Sequence, residues 1–324
     1  MANDRSGLAL GVQLGFEDSF GAGAAAPAGH VIPRAALRFD AVETPGETPE
    51  ISYSANPSEP IDGLHNANGE LGVVVTADAI PLIFKAFTGN IATTGGGAPY
   101  THTSKLLANA MLSVWLEKWF DDIDKGELYK GVRIQGLRFS WRKDSQPLIV
   151  TAMLMGSGQR DKNRGTQYDA TPTTYTDRRL SLVSTVLKIN GTATALVKSF
   201  DLTITNEMAR QDVLSGNDYA DAISTGKFKI EGSLRAVWDS ADTLRGYIGT
   251  EKSIELICYR PAAATRYVSV LTPEVLLKFT EVPDESSRGP IELGMGVFAY
   301  YNNAAEATAA VLTAVNDVAS GAYV

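Results

Sequence analysis

One order of strands and helix is written twice in this chain, and a duplicated strand-rich unit restricts the fold more than any single residue does. In the first copy Leu71, Val73 and Val75 alternate, a short helical pattern follows at Ile80, Ile83, Phe84 and Phe87, and Gly89 stops it. In the second, Phe228, Ile230, Leu234 and Ala236 alternate, a shorter helical pattern carries Leu244 and Tyr247, and Gly249 stops it. Further alternating strands follow each glycine. Leu112, Val114 and Leu116 answer to Ile254, Leu256 and Cys258. Val132, Ile134, Leu137 and Phe139 answer to Val275, Leu277 and Phe279, and Leu148, Val150, Ala152 and Leu154 to Ile291, Leu293, Met295 and Val297.

A true repeat keeps its spacing except where a loop has grown. Gly89 and Gly249 lie 160 positions apart; Leu112 and Ile254 lie 142 apart, and Leu148 and Ile291 lie 143 apart. One longer segment between Gly89 and Leu112 accounts for the change. Leu37 and Phe39 against Leu202 and Ile204, 165 apart, belong with the earlier group. The expected organisation is an N-terminal arm over 1–27, a first β unit over 28–156 with a long loop at 89–110, a linker over 157–192, a second unit over 193–300 and a tail over 301–324. At 324 residues the chain is long enough for two such cores.

Within the units the pattern is that of half-buried antiparallel strands. Phe200, Leu202 and Ile204 alternate with Ser199, Asp201, Thr203 and Thr205, and a longer strand runs from Lys227 to Trp238. Between Val132 and Trp141 the apolar phase slips at Gly136, which predicts a bulge. The first helix has Thr76 or Asp78 as N-cap, Pro81 in its first turn and Gly89 as its stop. The second is expected to start at Asp239 or Ser240 and run to 248, before the stop at Gly249. Residues 17–31, 89–104 and 156–179 are Gly- or polar-rich and build no core alone. They read either as arms that order against other subunits or as flexible loops. The Ala-rich stretch from Ala304 to Val318 is a helix candidate without a defined face.

Composition excludes several functions. No apolar run approaches the roughly 20 residues of a membrane-spanning helix, and residues 1–11 lack a secretory signal. Cys258 is the only cysteine, so an intramolecular disulfide is impossible and a reducing cytoplasm is the expected site of synthesis. The net charge of −8, without a Lys/Arg cluster, disfavours tight nucleic-acid binding.

Chemistry-bearing patterns are sparse. His30, His65 and His102 have no metal-ligand spacing. Gly21, Gly23 and Ala26 outline a dinucleotide fingerprint, yet no buried strand precedes them and Pro27 follows. Gly226 and Lys227 lack the rest of a phosphate-binding loop, and Asn190–Gly191–Thr192 is a glycosylation triplet without meaning in a chain that is not secreted. Asp121, Asp122 and Asp124 around Gly126 read as a solvated turn rather than an acid/base pair. Trp115, Trp119, Trp141 and Trp238 read as core or interface packing. No catalytic, cofactor-binding or metal residue is assigned and no cofactor is expected.

Several runs resemble the tail tube proteins of long-tailed bacteriophages. They are Tyr129 to Ile134, Phe200 to Asn206, and Thr225 to Phe228 leading into Ile230 to Leu234; Glu17 to Gly21 and Gly63 to Gly72 are similar as well. The resemblance spans nearly the whole chain. It implies a mainly β fold, a duplicated tail-tube-type β-sandwich or partial barrel with one short flanking α-helix per unit. It also implies a non-enzymatic virion protein that self-assembles into rings stacked as a tube through which DNA passes. With two units per chain, the expected ring is a homotrimer of pseudo-sixfold symmetry, a homohexamer being the alternative. Other tail proteins at the tube ends are expected partners, DNA in the lumen is not bound specifically, and no membrane is involved. Another β-rich phage assembly protein (baseplate, capsid-associated or adhesion) and a β-rich hydrolase are the competing readings.

Overall fold

The structure, a computed structural model, describes residues 10–45, 61–107, 111–142, 146–237, 244–260, 263–280, 291–301 and 307–323. It is mainly β and antiparallel. The first half contains β1 (Leu10–Phe16), β2 (His30–Val31), β3 (Arg34–Glu43), β4 (His65–Val74), helix α1 (Ile80–Thr88), β5 (Ala92–Thr94), β6 (Tyr100–Lys105), β7 (Val114–Phe120), β8 (Lys125–Arg142), β9 (Ile149–Gly156) and β10 (Arg160–Arg164). The second contains β11 (Thr185–Ile189), β12 (Thr192–Thr194), β13 (Val197–Asn206), β14 (Ala209–Gln211), β15 (Ala222–Ser224), β16 (Phe228–Val237), β17 (Glu251–Arg260), β18 (Ala263–Phe279), β19 (Glu292–Ala299) and β20 (Val311–Asn316).

The alternating residues of the sequence point into a common core. Leu71, Val73, Leu137, Phe139, Val150 and Ala152 are buried in the first half, and Leu202, Leu234, Val275, Leu277, Leu293 and Met295 in the second. Each large apolar side chain so buried contributes about 1.5–3 kcal/mol. Helix α1 packs on β8, β6 and β20 and buries Ile80, Ile83, Phe84 and Phe87. Its start differs in detail from expectation. Ala79 is the N-cap residue, and the Thr76 hydroxyl accepts from the Ala79 amide at 3.1 Å one turn earlier. Gly89 ends it in the left-handed region at φ 74°, where a side chain would be strained.

One scheme of pairing occurs in both halves. In the first, β2 pairs with β1, β1 with β7, β7 with β8, β8 with β9 and β10, β9 with β4, and β4 with β3. In the second, β12 pairs with β11, β11 with β17, β17 with β18, β18 with β19 and β20, β19 with β16, and β16 with β13. Register agrees as well. Leu37 faces Leu71 as Phe200 faces Leu234, and Val132 faces Gly156 as Val275 faces Ala299. These pairings align β3 with β13 and β4 with β16 at a spacing of 163, so Leu37 answers to Phe200 and Phe39 to Leu202, two residues from the sequence expectation. Gly69 and Gly232 fall in equivalent places for one reason. A Cβ on Gly69 would lie 1.9 Å from the Arg38 carbonyl oxygen, and one on Gly232 would lie 2.3 Å from that of Asp201.

Strand β8 joins the halves. Its first part pairs with β7 over Lys125–Val132 and its last part with β13 over Gly136–Arg142. The register shift between Ile134 and Gly136 in its pairing with β9 falls at the change of partner, where the slipped apolar phase predicts a bulge.

Four expectations are corrected. The second unit has no α-helix among the described residues, only a 3-10 turn at Arg245–Tyr247; Gly246 inside it and a single deeply buried apolar residue, Leu244, give a longer helix little support. The expected start at Asp239 or Ser240 lies outside the described residues, as does Trp238. The stretch after Gly89 is not a core-less loop, because it holds the β5–β6 hairpin, and β6 pairs with β20. The Ala-rich tail carries β20 rather than a helix, since Val311, Leu312 and Val315 gain strand partners on both sides from β18 and β6, which outweighs alanine's local preference. Finally, the part of the N-terminal segment from Leu10 to Phe16 is used within the chain: β1 pairs with β7 and buries Val12 and Leu14.

Candidate assembly surfaces

The residues singled out for chemistry are separated and used structurally. His30 stacks on Tyr175 and shares a 2.9 Å hydrogen bond with its hydroxyl. His102 is buried between the Thr93 hydroxyl and the Asn316 amide oxygen, both at 2.9 Å, and His65 faces the Asp218 carboxylate at 2.9 Å. Burial holds both His30 and His102 below the ordinary histidine value, opposed respectively by the charge of Asp169 and by hydrogen bonds to Asn316 and Val318. Asp121, Asp122 and Asp124 make the turn between β7 and β8. Trp115, Trp119 and Trp141 are core residues. Asn190 and Gly191, both with positive φ, form the two-residue turn of the β11–β12 hairpin. The Cys258 thiol is buried and pushed up to about 11 by burial. Among the described residues, no group of three or more His, Cys, Asp or Glu side chains is arranged to hold a metal ion.

The glycine loop after β1 is filled. Glu17 accepts from the Gly21 amide at 3.0 Å and the Gly131 amide at 2.9 Å, placing a carboxylate of the chain itself where an anion would sit. The Tyr168 hydroxyl donates to the Ala24 carbonyl and accepts from the Ala24 amide. The Tyr168 amide in turn donates to both oxygens of the buried Glu117, at 2.9 and 3.0 Å. The segment around 160–170 is thus clamped onto the first strand set. Burial raises both Glu17 and Glu117 above the ordinary carboxylate value, against the pull of those amide donors.

Among the described residues, the surfaces left without a strand or core neighbour lie at the rims of the sheet. Strand β3 is bonded to β4 on one side, and no strand among the described residues covers its other side. Val42 there is 62 % exposed. An open edge of ten residues presents a row of backbone donors and acceptors to any strand of suitable length.

A second surface is the β14–β15 hairpin, which stands apart as its own two-stranded ladder. Its base is fixed. Asn206 bonds Gly226 twice, through its amide nitrogen at 3.1 Å and its oxygen at 2.8 Å, while Arg133 donates to the Ile223 carbonyl at 2.8 Å. Its tip is shaped by Asp221, which accepts from the Ser215 hydroxyl and the Asn217 amide. On that preorganised turn Val213 is 61 % exposed and Leu214 fully so. Large apolar side chains held side by side in water on a rigid turn mark a contact surface.

At the other end of β13 lies an apolar hollow of about 390 Å³, lined by Trp141, Leu182, Val183, Leu187, Phe200 and Leu256. Arg142 and Lys198 border it, whereas Asp212, Asp218 and Asp221 surround the hairpin tip. The hollow takes in β13 from Val197 to Phe200 and the hairpin follows Asn206, so about 20 Å of strand separates them. The sequence named neither surface. Val213 and Leu214 form too short an apolar pair to register as an element, and the hollow exists only after β8, β11 and β13 come together.

These features define a β-rich structural component whose unsatisfied surfaces are strand edges and apolar rims. The model of the phage tail tube protein family matches residues 7–315, and the chain belongs to that family. It is a structural protein of the phage virion tail. Among curated proteins, none matches the chain. No helix among the described residues is long and apolar enough to cross a membrane.

Proposed function

We propose that the chain self-assembles into rings that stack head to tail as the tail tube, the conduit through which DNA leaves the virion. The observation that carries this reading is the placement of an exposed apolar knob, Val213 and Leu214, and an apolar hollow of about 390 Å³ at opposite ends of β13. Complementary patches at opposite ends of one molecule generate a heterologous contact that propagates without closing, as a tube requires.

Within the ring, the recurrence of one pairing scheme in both halves supports two tube-forming units per chain, and three chains then supply six. A homotrimer with pseudo-sixfold symmetry is the ring we expect, against a homohexamer in which one half faces the lumen and the other the outside. The net charge of −8 suits a lumen that lets DNA slide without holding it. Our reading has no catalytic step. The chain is made and assembled in the host cytoplasm, with other tail proteins closing the tube ends. Electron microscopy of the purified protein tests this: stacked rings or tubes are expected, and a monodisperse monomer under all assembly conditions refutes it. The rotational symmetry of those rings decides between trimer and hexamer.

A further inference from the structure

The last part of β8 is a strand contributed by one half of the chain to the edge of the other half. It covers β13 over Thr205↔Gly136, Ile204↔Leu137, Thr203↔Arg138 and Leu202↔Phe139. The pairings above make β3 the counterpart of β13 and β18 the counterpart of β8. Val42 stands where Thr205 stands, by the spacing of 163 fixed at Leu71 and Leu234. Lys278 stands where Gly136 stands, because Gly136 faces Met153 on β9 as Lys278 faces Gly296 on β19, and those partners are 143 apart.

Yet among the described residues the counterpart seam is empty. The edge of β3 has no cover among the described residues, and its residues are more exposed than their counterparts: Arg38, Asp40 and Val42 are exposed where Asp201, Thr203 and Thr205 are only partly so. The same holds on the other side. Phe279 continues the inward face of Val275 and Leu277, both fully buried, but is itself 42 % exposed; its counterpart Leu137, covered by β13, is fully buried. An apolar residue on the core face of a strand, left in water where the equivalent residue is covered, marks a missing neighbour.

We infer that the end of β18 in one copy pairs antiparallel with the open edge of β3 in the next copy, in the register of the internal β8–β13 seam: Val42 against Lys278, Ala41 against Phe279, Asp40 against Thr280. The proposal rests on the ring reading above and specifies how the ring closes. Seams within each chain and seams between chains then alternate around it with the same hydrogen-bond ladder. Phe279 would continue the core of one copy onto Phe39 and Ala41 of the next, both already buried in the single chain. No sheet edge of this type is left free.

The test is a register-specific cross-link. Both Val42 and Lys278 are exposed, and the native thiol Cys258 is buried, so the double variant Val42→Cys/Lys278→Cys folds with two new accessible thiols. Assembled and oxidised, it is expected to give disulfide-linked multimers on a non-reducing gel, ending at the ring size. Asp40→Cys/Lys278→Cys, two residues out of register, is expected to link at least tenfold less, and either single variant not at all. As a second measurement, Phe279→Asp keeps the wild-type circular dichroism but forms rings at least tenfold less. Rings that link equally in and out of register, or a Phe279→Asp protein that forms rings like wild type, overturn the seam while leaving the tube reading intact. Absence of rings from the wild-type chain overturns the tube reading, and the seam with it.

Discussion

Tyr323 donates its hydroxyl to the backbone carbonyl of Asp78, 245 residues earlier, at 2.7 Å. The same hydroxyl accepts from the Asn316 amide at 2.9 Å, and the Asn316 oxygen meets His102. Lys85 on α1 donates to the Tyr323 carbonyl, and the tyrosine ring lies against His102 and Tyr175. One buried side chain therefore ties together the residues before α1, the β6 strand and the end of β20.

Replacing it measures that tie. Tyr323→Phe removes a hydroxyl with two partners and is expected to cost about 1–2 kcal/mol, whereas Tyr323→Ala also opens a cavity and should cost about 3–5 kcal/mol. Urea denaturation of the unassembled protein reads both. Equal stability of Tyr323→Ala and wild type would show that the segment does not dock.

Asp78 gives a pH dependence of definite sign. Burial, reinforced by the charge of Asp177 and opposed by Arg266 and Arg260, raises its carboxyl from 3.8 to about 6. A folded-state value above the unfolded one stabilises fully below about 4 and loses that contribution as pH rises through about 6. Asp78→Asn should accordingly gain melting temperature over wild type above pH 6 and lose the gain below pH 4. A difference that is constant across this range would contradict the assignment.

Leu214→Asp changes a side chain with nothing packed on it. Stability should stay within about 0.5 kcal/mol of wild type. Ring formation is expected to persist and tube elongation, followed by light scattering and microscopy, to fail. Tubes of normal length would remove the hairpin tip from the stacking contact.

Gly69→Ala and Gly232→Ala probe the two halves at equivalent points. Each adds a methyl group against a cross-strand carbonyl oxygen, at 1.9 and 2.3 Å before relaxation, so both should destabilise by about 1–3 kcal/mol. Gly191→Ala adds a methyl into open space and tests only the left-handed backbone, so a smaller loss of about 1 kcal/mol is expected there. Denaturation midpoints that rank Gly191→Ala as the most damaging of the three would argue against the tight crossings at Gly69 and Gly232.

The parts of the fold legible in the sequence are those in which a local pattern reports a local constraint. Phe200, Leu202 and Ile204 alternate because one face of β13 is buried; the slip at Gly136 is the register shift itself; Gly89 ends α1 because its backbone is left-handed. What was not legible depends on partners far away. β6 is rich in Thr and carries one buried histidine, so nothing in Tyr100–Lys105 announces a strand until β20 arrives beside it. The helix-like alanines near Val311 are overruled by the same pairing. Of the candidate surfaces, the open edge of β3 is invisible in sequence because β3 and β13 carry the same inward pattern and differ only in whether a neighbour is present. The removal of 92–104, which a loop would tolerate, deprives β20 of a partner and should destabilise the chain.

The β6–β20 pairing also sets a clock. Val311 emerges from the ribosome 206 residues after Lys105, which at about 5–20 residues per second is a delay of about 10–40 s. Until then β6, His102 and the underside of α1 lack their strand and their tyrosine. A nascent first half, though it already carries the open edge of β3, cannot finish its own packing, so a stable edge is offered only by chains whose synthesis has passed Tyr323.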